Sequence, residues 1–164
     1  ILQDVFLFAD TIFNNITLYN KDITMKNVEN AAKELEIHDF INSLPGGYSF
    51  NVSERGDTLS AGQKQLIAFL RVLVNNPDIL ILDEATSSID SYSEELIKNA
   101  TKKITKGKTS IIIAHRLSTI ESADKIIYME NGKILESGNH KQLLSISNGK
   151  FKKLYEEQFV EELV

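Results

Sequence analysis

Two short runs of consecutive apolar residues constrain the fold of this 164-residue chain more than any other feature. Residues 79–82 read Ile-Leu-Ile-Leu, and residues 110–114 read Ser-Ile-Ile-Ile-Ala. Such isoleucine-rich runs are typical of parallel strands that are covered on both faces. The segment 93–104 between them has the length of the helical crossover that parallel strands require. The sequence therefore predicts an α/β fold with a partial, mostly parallel sheet.

The residues ahead of the first strand predict helices. Thr24 is expected to cap one helix, and Ser60 with Gln63 has the spacing of a capping box that begins another. Asn75-Asn76-Pro77 should end that second helix. We therefore expect a helical subdomain over about residues 4–76, ahead of the sheet.

The second half of the chain predicts a sheet region followed by helices. Asn131-Gly132 lies between two alternating apolar segments, which is the signal of a hairpin with a type I′ turn. The tail from residue 140 has helical periodicity. The sequence thus divides into a helical subdomain, half of a catalytic sheet over 77–139, and C-terminal helices over 140–164, all within one partial domain that spans residues 1–164.

Composition excludes several classes of protein. The chain has no cysteine, which rules out a disulfide scaffold or a thiolate metal site. Its formal net charge is −5, with acidic and basic residues intermixed, so we expect no nucleic-acid partner. Its longest apolar runs are too short to cross a bilayer. It opens at Ile1 without an initiator methionine, so we expect a piece of a longer protein.

Two adjacent carboxylates, Asp83 and Glu84, follow the first predicted strand. Ligands of open parallel sheets bind at the carboxyl ends of the strands, and successive side chains of a strand point in different directions. One carboxylate can therefore face a magnesium ion while its neighbour faces a water molecule. Solvated acids at a strand end are the alternative interpretation.

Small residues begin the helix that precedes this strand. The segment Leu59-Ser60-Ala61-Gly62-Gln63 offers backbone N–H groups and the positive end of a helix dipole. The Ser60 hydroxyl and the Gly62 amide can bind a terminal phosphate there. Ser60 acting only as a helix cap is the alternative, but the position one helix ahead of Asp83 and Glu84 favours phosphate binding.

Three further positions are weaker candidates when each is taken alone. His115 ends the second predicted strand, where an imidazole can hydrogen-bond a γ-phosphate and orient an attacking water. A histidine at a strand end is otherwise usually structural. Ser88 and Asp90 follow the acidic pair and are also consistent with the start of a helix.

Taken in order, these residues resemble the nucleotide-binding domain of ABC transporters, from the Q-loop to the C-terminus. Gln3 matches the glutamine of the Q-loop, and residues 59–63 match the signature motif, with Ala61 in place of a glycine. Residues 79–83 look like the Walker B strand, and Glu84 looks like the catalytic glutamate that follows it. The resemblance implies a P-loop NTPase of the ABC type.

The remaining motifs extend the resemblance over essentially the whole chain. Residues 87–90 match the D-loop and His115 matches the switch histidine. Residues 8–12 and 44–48 are similar to those of multidrug and lipid exporters. The segment Glu54-Arg55-Gly56 resembles the X-loop, which in that group faces the coupling helices of the transmembrane domains. The resemblance therefore implies the ATPase domain of an exporter.

The resemblance also implies a mechanism in which ATP is the substrate and Mg²⁺ is the cofactor. Asp83 would hold Mg²⁺ together with Gln3, and Glu84 would polarise the attacking water. Gln3 and His115 would sense the γ-phosphate. Six residues would contact a nucleotide: Ser60, Ala61, Gly62, Gln63, Ser88 and Asp90.

The expected partners follow from the same resemblance. A second ABC ATPase domain would form a head-to-tail dimer with this one, and each ATP would lie between the two. Transmembrane domains, from the same or a partner chain, would place the assembly at the cytoplasmic face of the inner membrane of a bacterial cell. ATP hydrolysis would then be coupled to export.

One element of the family is missing from the sequence. No G-x-x-x-x-G-K-[ST] loop occurs, so the principal phosphate cradle, Walker A, is absent from this chain. We therefore expect the fragment alone neither to bind ATP tightly nor to hydrolyse it, and we expect unpaired strand edges to drive oligomerisation or a rearranged sheet. Two alternatives stay open: a non-transport ABC ATPase of translation or DNA maintenance, and a non-enzymatic half-site fragment.

Overall fold

The computed structural model of the protein describes residues 5–52, 58–83, 91–114 and 122–161. The chain separates into two compact units, residues 1–113 and 114–164. The division into three parts that the sequence suggested stays a prediction.

The first unit is helical at its start and contains a pair of parallel strands at its end. Helices α1 to α3, a 3₁₀ turn, helix α4, strand β1, helix α5 and strand β2 follow one another along the chain. Their bounds are Ile12–Thr17 (α1), Met25–Glu34 (α2), His38–Ser43 (α3), Gly47–Ser49 (3₁₀), Ala61–Asn75 (α4), Ile79–Asp83 (β1), Ser91–Thr105 (α5) and Thr109–Ile113 (β2).

Helix α2 begins, and helix α4 ends, at the residues that the sequence predicts. Thr24 caps α2 and forms a reciprocal capping box with Asn27. Helix α4 ends at Asn75, and Asn76 adopts a left-handed conformation with a φ of 44°, which ends a helix without requiring glycine. The predicted helix boundaries at Thr24 and at residues 75–77 are therefore confirmed.

Helix α4 supplies much of the core of the first unit. Its apolar side chains pack with those of α1, α2 and α5, and Ile16, Val28, Ile67, Leu70 and Ile104 are fully buried. Residues that lie three or four positions apart share one face of a helix. The apolar residues of α4 have this spacing, which predicts their burial. This packing fixes the position of α4 and therefore of its exposed first residues.

Strands β1 and β2 pair in parallel, with Asp83 opposite Ile113. The parallel pair and its crossover helix agree with the sequence-based fold. The expectation that both faces are covered is wrong for the described strands, because only one face packs on helices. Leu80 and Leu82 are buried, whereas four isoleucines of the other face are exposed: Ile79 at 65%, Ile81 at 55%, Ile111 at 55% and Ile113 at 51%.

The second unit is a β-hairpin followed by two helices. Strands β3 (Ile126–Glu130) and β4 (Lys133–Gly138) pair antiparallel, and helices α6 (His140–Leu144) and α7 (Lys150–Glu161) follow. Asn131 and Gly132 have φ values of 51° and 74°, which are the positive values of a type I′ turn. The predicted hairpin is therefore confirmed. The described strands of the protein thus form one parallel and one antiparallel pair.

A small core and a carboxylate cap stabilise the second unit. Ile126, Leu143 and Phe151 are buried together. The Glu136 carboxylate accepts hydrogen bonds from the backbone N–H groups of Lys150, at 2.6 Å, and Phe151, at 3.0 Å. Because these groups lie at the start of α7, the carboxylate satisfies donors that have no partner within the helix. Among the described residues of the whole chain, no helix is both long and apolar enough to span a membrane.

We predict that the exposed isoleucine face drives self-association of this chain. Replacing Ile79 and Ile111 with threonine should shift the chain toward monomer in light scattering, because threonine keeps the β-branched shape of a strand residue but removes apolar surface. Met25→Gln, at an exposed apolar residue of α2, is the control and should leave the association unchanged. A wild-type chain that is already monomeric at high concentration would contradict the prediction.

A second prediction concerns the pH dependence of stability. The Asp10 carboxylate accepts hydrogen bonds from the Tyr19 hydroxyl, the Thr11 N–H and the Asn14 amide, and these bonds lower the pKa of Asp10 below 3.8. A lowered folded-state pKa gives a contribution that is present above the unfolded pKa and lost as the pH falls through the folded value. Tyr19→Phe removes the largest cause of the shift.

The measurement for Asp10 is urea unfolding of the wild type and of Tyr19→Phe at neutral pH and at about pH 3. The wild type should be more stable than Tyr19→Phe near neutral pH, and the difference should shrink as Asp10 becomes protonated. Phe40→Leu, at a position away from Asp10, should give a stability difference that does not change with pH. A constant difference for Tyr19→Phe would disprove the assignment.

Candidate functional site

The turn that begins α4 has the hydrogen bonds that the sequence predicts. Ser60 adopts an extended conformation, with φ −65° and ψ 162°. Its hydroxyl oxygen accepts a hydrogen bond from the Gln63 N–H at 3.2 Å, and the Gln63 side-chain oxygen accepts one from the Ser60 N–H at 2.9 Å. The capping box is therefore confirmed. It fixes the path of the backbone at this point, because two donors of the helix start are satisfied reciprocally.

The first two N–H groups of α4 differ in their exposure. Within the described part of the chain, no acceptor contacts the N–H groups of Ala61 and Gly62. Ser60 and Ala61 are exposed and Gly62 is buried. The first turn of α4 carries no acidic residue, so the positive end of the helix dipole is not neutralised from within. The exposed Ser60 and Ala61 can therefore receive an anion.

Asp83 is the last residue of β1 and is half-buried. Its register partner Ile113 is the last residue of β2, so the carboxyl ends of the two strands lie side by side. In open sheets this edge is where ligands bind. The structure therefore gives Asp83 the position that its sequence pattern predicts.

The Asp83 carboxylate fits a magnesium ion whose other ligands are waters and substrate phosphates. Among the described residues, no three histidine, aspartate or glutamate side chains come together to hold a metal ion. Mg²⁺ is commonly bound through one or two carboxylates, with waters and substrate phosphates as its other ligands. The carboxylate of Asp83 at the strand end suits that type of binding.

The structure describes only part of the predicted site, and the functional role of every candidate residue stays a prediction. Ser60, Ala61, Gly62, Gln63 and Asp83 are described, all in the first unit. The other candidates lie outside the described residues: Gln3, Glu54, Arg55, Gly56, Glu84, Ser88, Asp90 and His115.

Asn15 and Arg71 form contacts that were not predicted from the sequence. Asn15 is 1% exposed, and its backbone carbonyl accepts a hydrogen bond from Arg71 Nε at 2.8 Å. Burial lowers the pKa of Arg71, but a guanidinium stays charged in proteins. A single arginine within the apolar stretch 66–74 of α4 was the available signal, because such a side chain requires partners when it is buried.

Comparison with known proteins identifies the family. The family model described as ABC transporter matches residues 1–87, which is more than half of the chain. This stretch includes the Ser60 turn and Asp83. The chain belongs to the ABC transporter family.

Two proteins that are similar to this chain are named for export or translocation. The putative multidrug export ATP-binding/permease protein YgaD of Bacillus subtilis is 51% identical over 144 residues, which cover 88% of this chain and 25% of that protein. The alpha-hemolysin translocation ATP-binding protein HlyB of Escherichia coli is 51% identical over 158 residues, covering 96% of this chain and 22% of that protein. The chain thus spans about a quarter of the length of these relatives.

A solved structure supports the fold. A bacterial Atm1-family ABC exporter with ATP bound matches with a TM-score of 0.83 and 41% sequence identity. The match covers 96% of this chain and 27% of that protein. The α/β fold of an ABC-type ATPase domain, here without its Walker A loop, is therefore confirmed for this chain.

We predict that the capping box contributes to stability independently of any ligand. Ser60→Ala should lower the free energy of unfolding by about 1 kcal/mol, because the Gln63 N–H loses its acceptor. Ser60→Asn should cost much less, because asparagine is an equally good cap. Chemical denaturation of the two variants checks this, and equal losses would show that the hydroxyl cap does not stabilise α4.

Proposed function

We propose that this chain is part of the ATP-hydrolysing domain of an ABC exporter, and that the whole protein couples ATP hydrolysis to transport out of the cell. The observation that carries the proposal is the presence, in one compact unit, of an anion-accepting turn at Ser60 and a carboxylate at the carboxyl end of β1. A phosphate and its magnesium ion require groups of these two kinds. The similarity to YgaD, a putative multidrug export protein, and to HlyB, an alpha-hemolysin translocation protein, favours export over a role in translation or DNA maintenance.

The proposed division of labour follows the chemistry of each group. Asp83, with Gln3, would hold Mg²⁺, which neutralises phosphate charge when it is bound. Glu84 accepts a proton from the attacking water, and Gln3 and His115 contact the γ-phosphate. Phosphoryl transfer depends mainly on positioning and on charge stabilisation, so a few well-placed polar groups are sufficient.

The Ser60 turn serves a different nucleotide in this proposal. Its open N–H groups and Ser60 hydroxyl face an anion that another domain carries, and Ser88 and Asp90 contribute beside it. Two ABC ATPase domains then meet head to tail, so that each completes the pocket of the other. The segment Glu54-Arg55-Gly56 contacts the transmembrane domains, which hold the assembly at the cytoplasmic face of the membrane.

We predict that Glu84→Gln in the full-length protein lowers kcat for ATP hydrolysis by about 10²-fold or more, because general base catalysis typically contributes 10²–10⁴-fold. Asp83→Asn should instead raise the Mg²⁺ concentration needed for half-maximal activity, because it removes the carboxylate ligand. The measurement is steady-state phosphate release with Mg²⁺ and ATP varied separately.

Glu95→Gln is the matched control for these variants. Glu95 is an exposed carboxylate of α5, and its loss should leave both kcat and the Mg²⁺ dependence unchanged. Unaltered turnover of Glu84→Gln would refute the proposed role of Glu84. A full-length wild-type protein that does not hydrolyse ATP at all would refute the proposed function as a whole.

A further inference from the structure

Side chains of α4 cap the C-terminal end of α1. The last turn of α1 contains no basic residue, and the final carbonyls of a helix have no partner within it. Arg71 Nε donates to the Asn15 carbonyl at 2.8 Å, and Asn75 Nδ2 donates to the Ile16 carbonyl at 3.2 Å. A positive charge at a helix C-terminus also interacts favourably with the helix dipole. Helices α1 and α4 are thus joined by directed polar contacts as well as by apolar packing.

The same arginine reaches the chain segment ahead of α1. Arg71 Nη2 donates to the Phe6 carbonyl at 3.3 Å. The Asn15 side chain holds the neighbouring backbone, since its oxygen accepts from the Phe8 N–H at 2.8 Å and its amide donates to the Phe8 carbonyl at 3.0 Å. One guanidinium therefore ties the backbone at Phe6 to α1 and to α4.

The position of these contacts in the sequence gives them a functional meaning. Phe6 lies three residues after Gln3, and α4 begins directly after Ser60. The proposed function places Gln3 at one nucleotide and Ser60 at the nucleotide of the partner domain. Arg71 thus connects the segment that follows one candidate contact to the helix that carries the other.

From these contacts we infer that Arg71 is a positioning residue, which makes the segment after Gln3 and helix α4 move as one body and so links the two nucleotide pockets. This inference rests on the proposed function. Arg71 itself contacts backbone carbonyls and needs to touch no nucleotide. Its planar fork presents several N–H groups in fixed directions, so it can bind two carbonyls at once. Lysine, with a single ammonium group, does not reproduce that geometry.

The test compares three variants of the full-length protein. Arg71→Met removes both hydrogen bonds and keeps much of the apolar length, and Arg71→Lys keeps only the charge. The matched control is Lys103→Met. Lys103 of α5 donates to the Glu34 carbonyl at the end of α2 and pairs with Glu36 at 3.0 Å, so it also ties a helix C-terminus to another helix, but away from the segment after Gln3.

Steady-state kinetics separates positioning from a purely structural role. In Arg71→Met, kcat should fall about tenfold or more, because small misplacements of catalytic groups are costly. KM for ATP should change less than about threefold, since no direct ATP contact is lost. Arg71→Lys should recover only part of kcat, and Lys103→Met should keep the wild-type kcat. A kcat of Arg71→Met equal to that of Lys103→Met, or full recovery in Arg71→Lys, would overturn the inference.

Amide hydrogen exchange supplies a second readout that does not depend on hydrolysis. In Arg71→Lys, which keeps the charge on α4, a peptide that covers residues 5–10 should exchange about tenfold faster than in the wild type. In Lys103→Met the same peptide should exchange at the wild-type rate. Unchanged exchange in Arg71→Lys would overturn the inference even if Arg71→Met failed to fold. Inactive wild-type protein would count against the proposed function alone, and the exchange rates would still decide the role of Arg71.

Discussion

Burial of the apolar stripe of α4 is the interaction on which the first unit depends. Ile67 and Leu70 are fully buried against the neighbouring helices, and removal of such side chains from a packed core typically costs about 2–5 kcal/mol. Because the middle of α4 is fixed by packing, its first turn is fixed as well. The capping box then sets the direction in which Ser60 and Ala61 are exposed, so core packing and the candidate phosphate site depend on the same helix.

The candidate site combines two opposite electrostatic environments. The start of α4 carries partial positive charge and suits an anion, whereas the carboxyl end of β1 carries Asp83 and suits a cation. A magnesium-bound phosphate contains both charges. Arg71 forms polar contacts with α1 and with Phe6. These contacts join the segment after Gln3 to the helix that Ser60 caps.

Local signals in the sequence were sufficient for much of the fold and for part of the site. The caps at Thr24 and Ser60, the helix end at Asn76 and the turn at Asn131-Gly132 were all predicted, because each depends on hydrogen bonds or backbone angles within a few residues. The parallel pairing of β1 with β2 was also predicted, from apolar runs and the crossover between them. The burial of both faces of these strands was not, because burial depends on what else packs on the sheet.

The sequence by itself determined the caps at Thr24 and Ser60, the end of α4, the hairpin turn at Asn131-Gly132, which motifs of the ABC family occur, and that Asp83 lies at the end of a strand. Only the tertiary structure decided that Ile81 and Ile111 face outward and that Arg71 binds the carbonyls of Asn15 and Phe6. The physical reason is distance along the chain. Arg71 and Asn15 are 56 residues apart in sequence, and a pattern of side chains does not show which distant backbone groups a buried cation meets after the helices have packed.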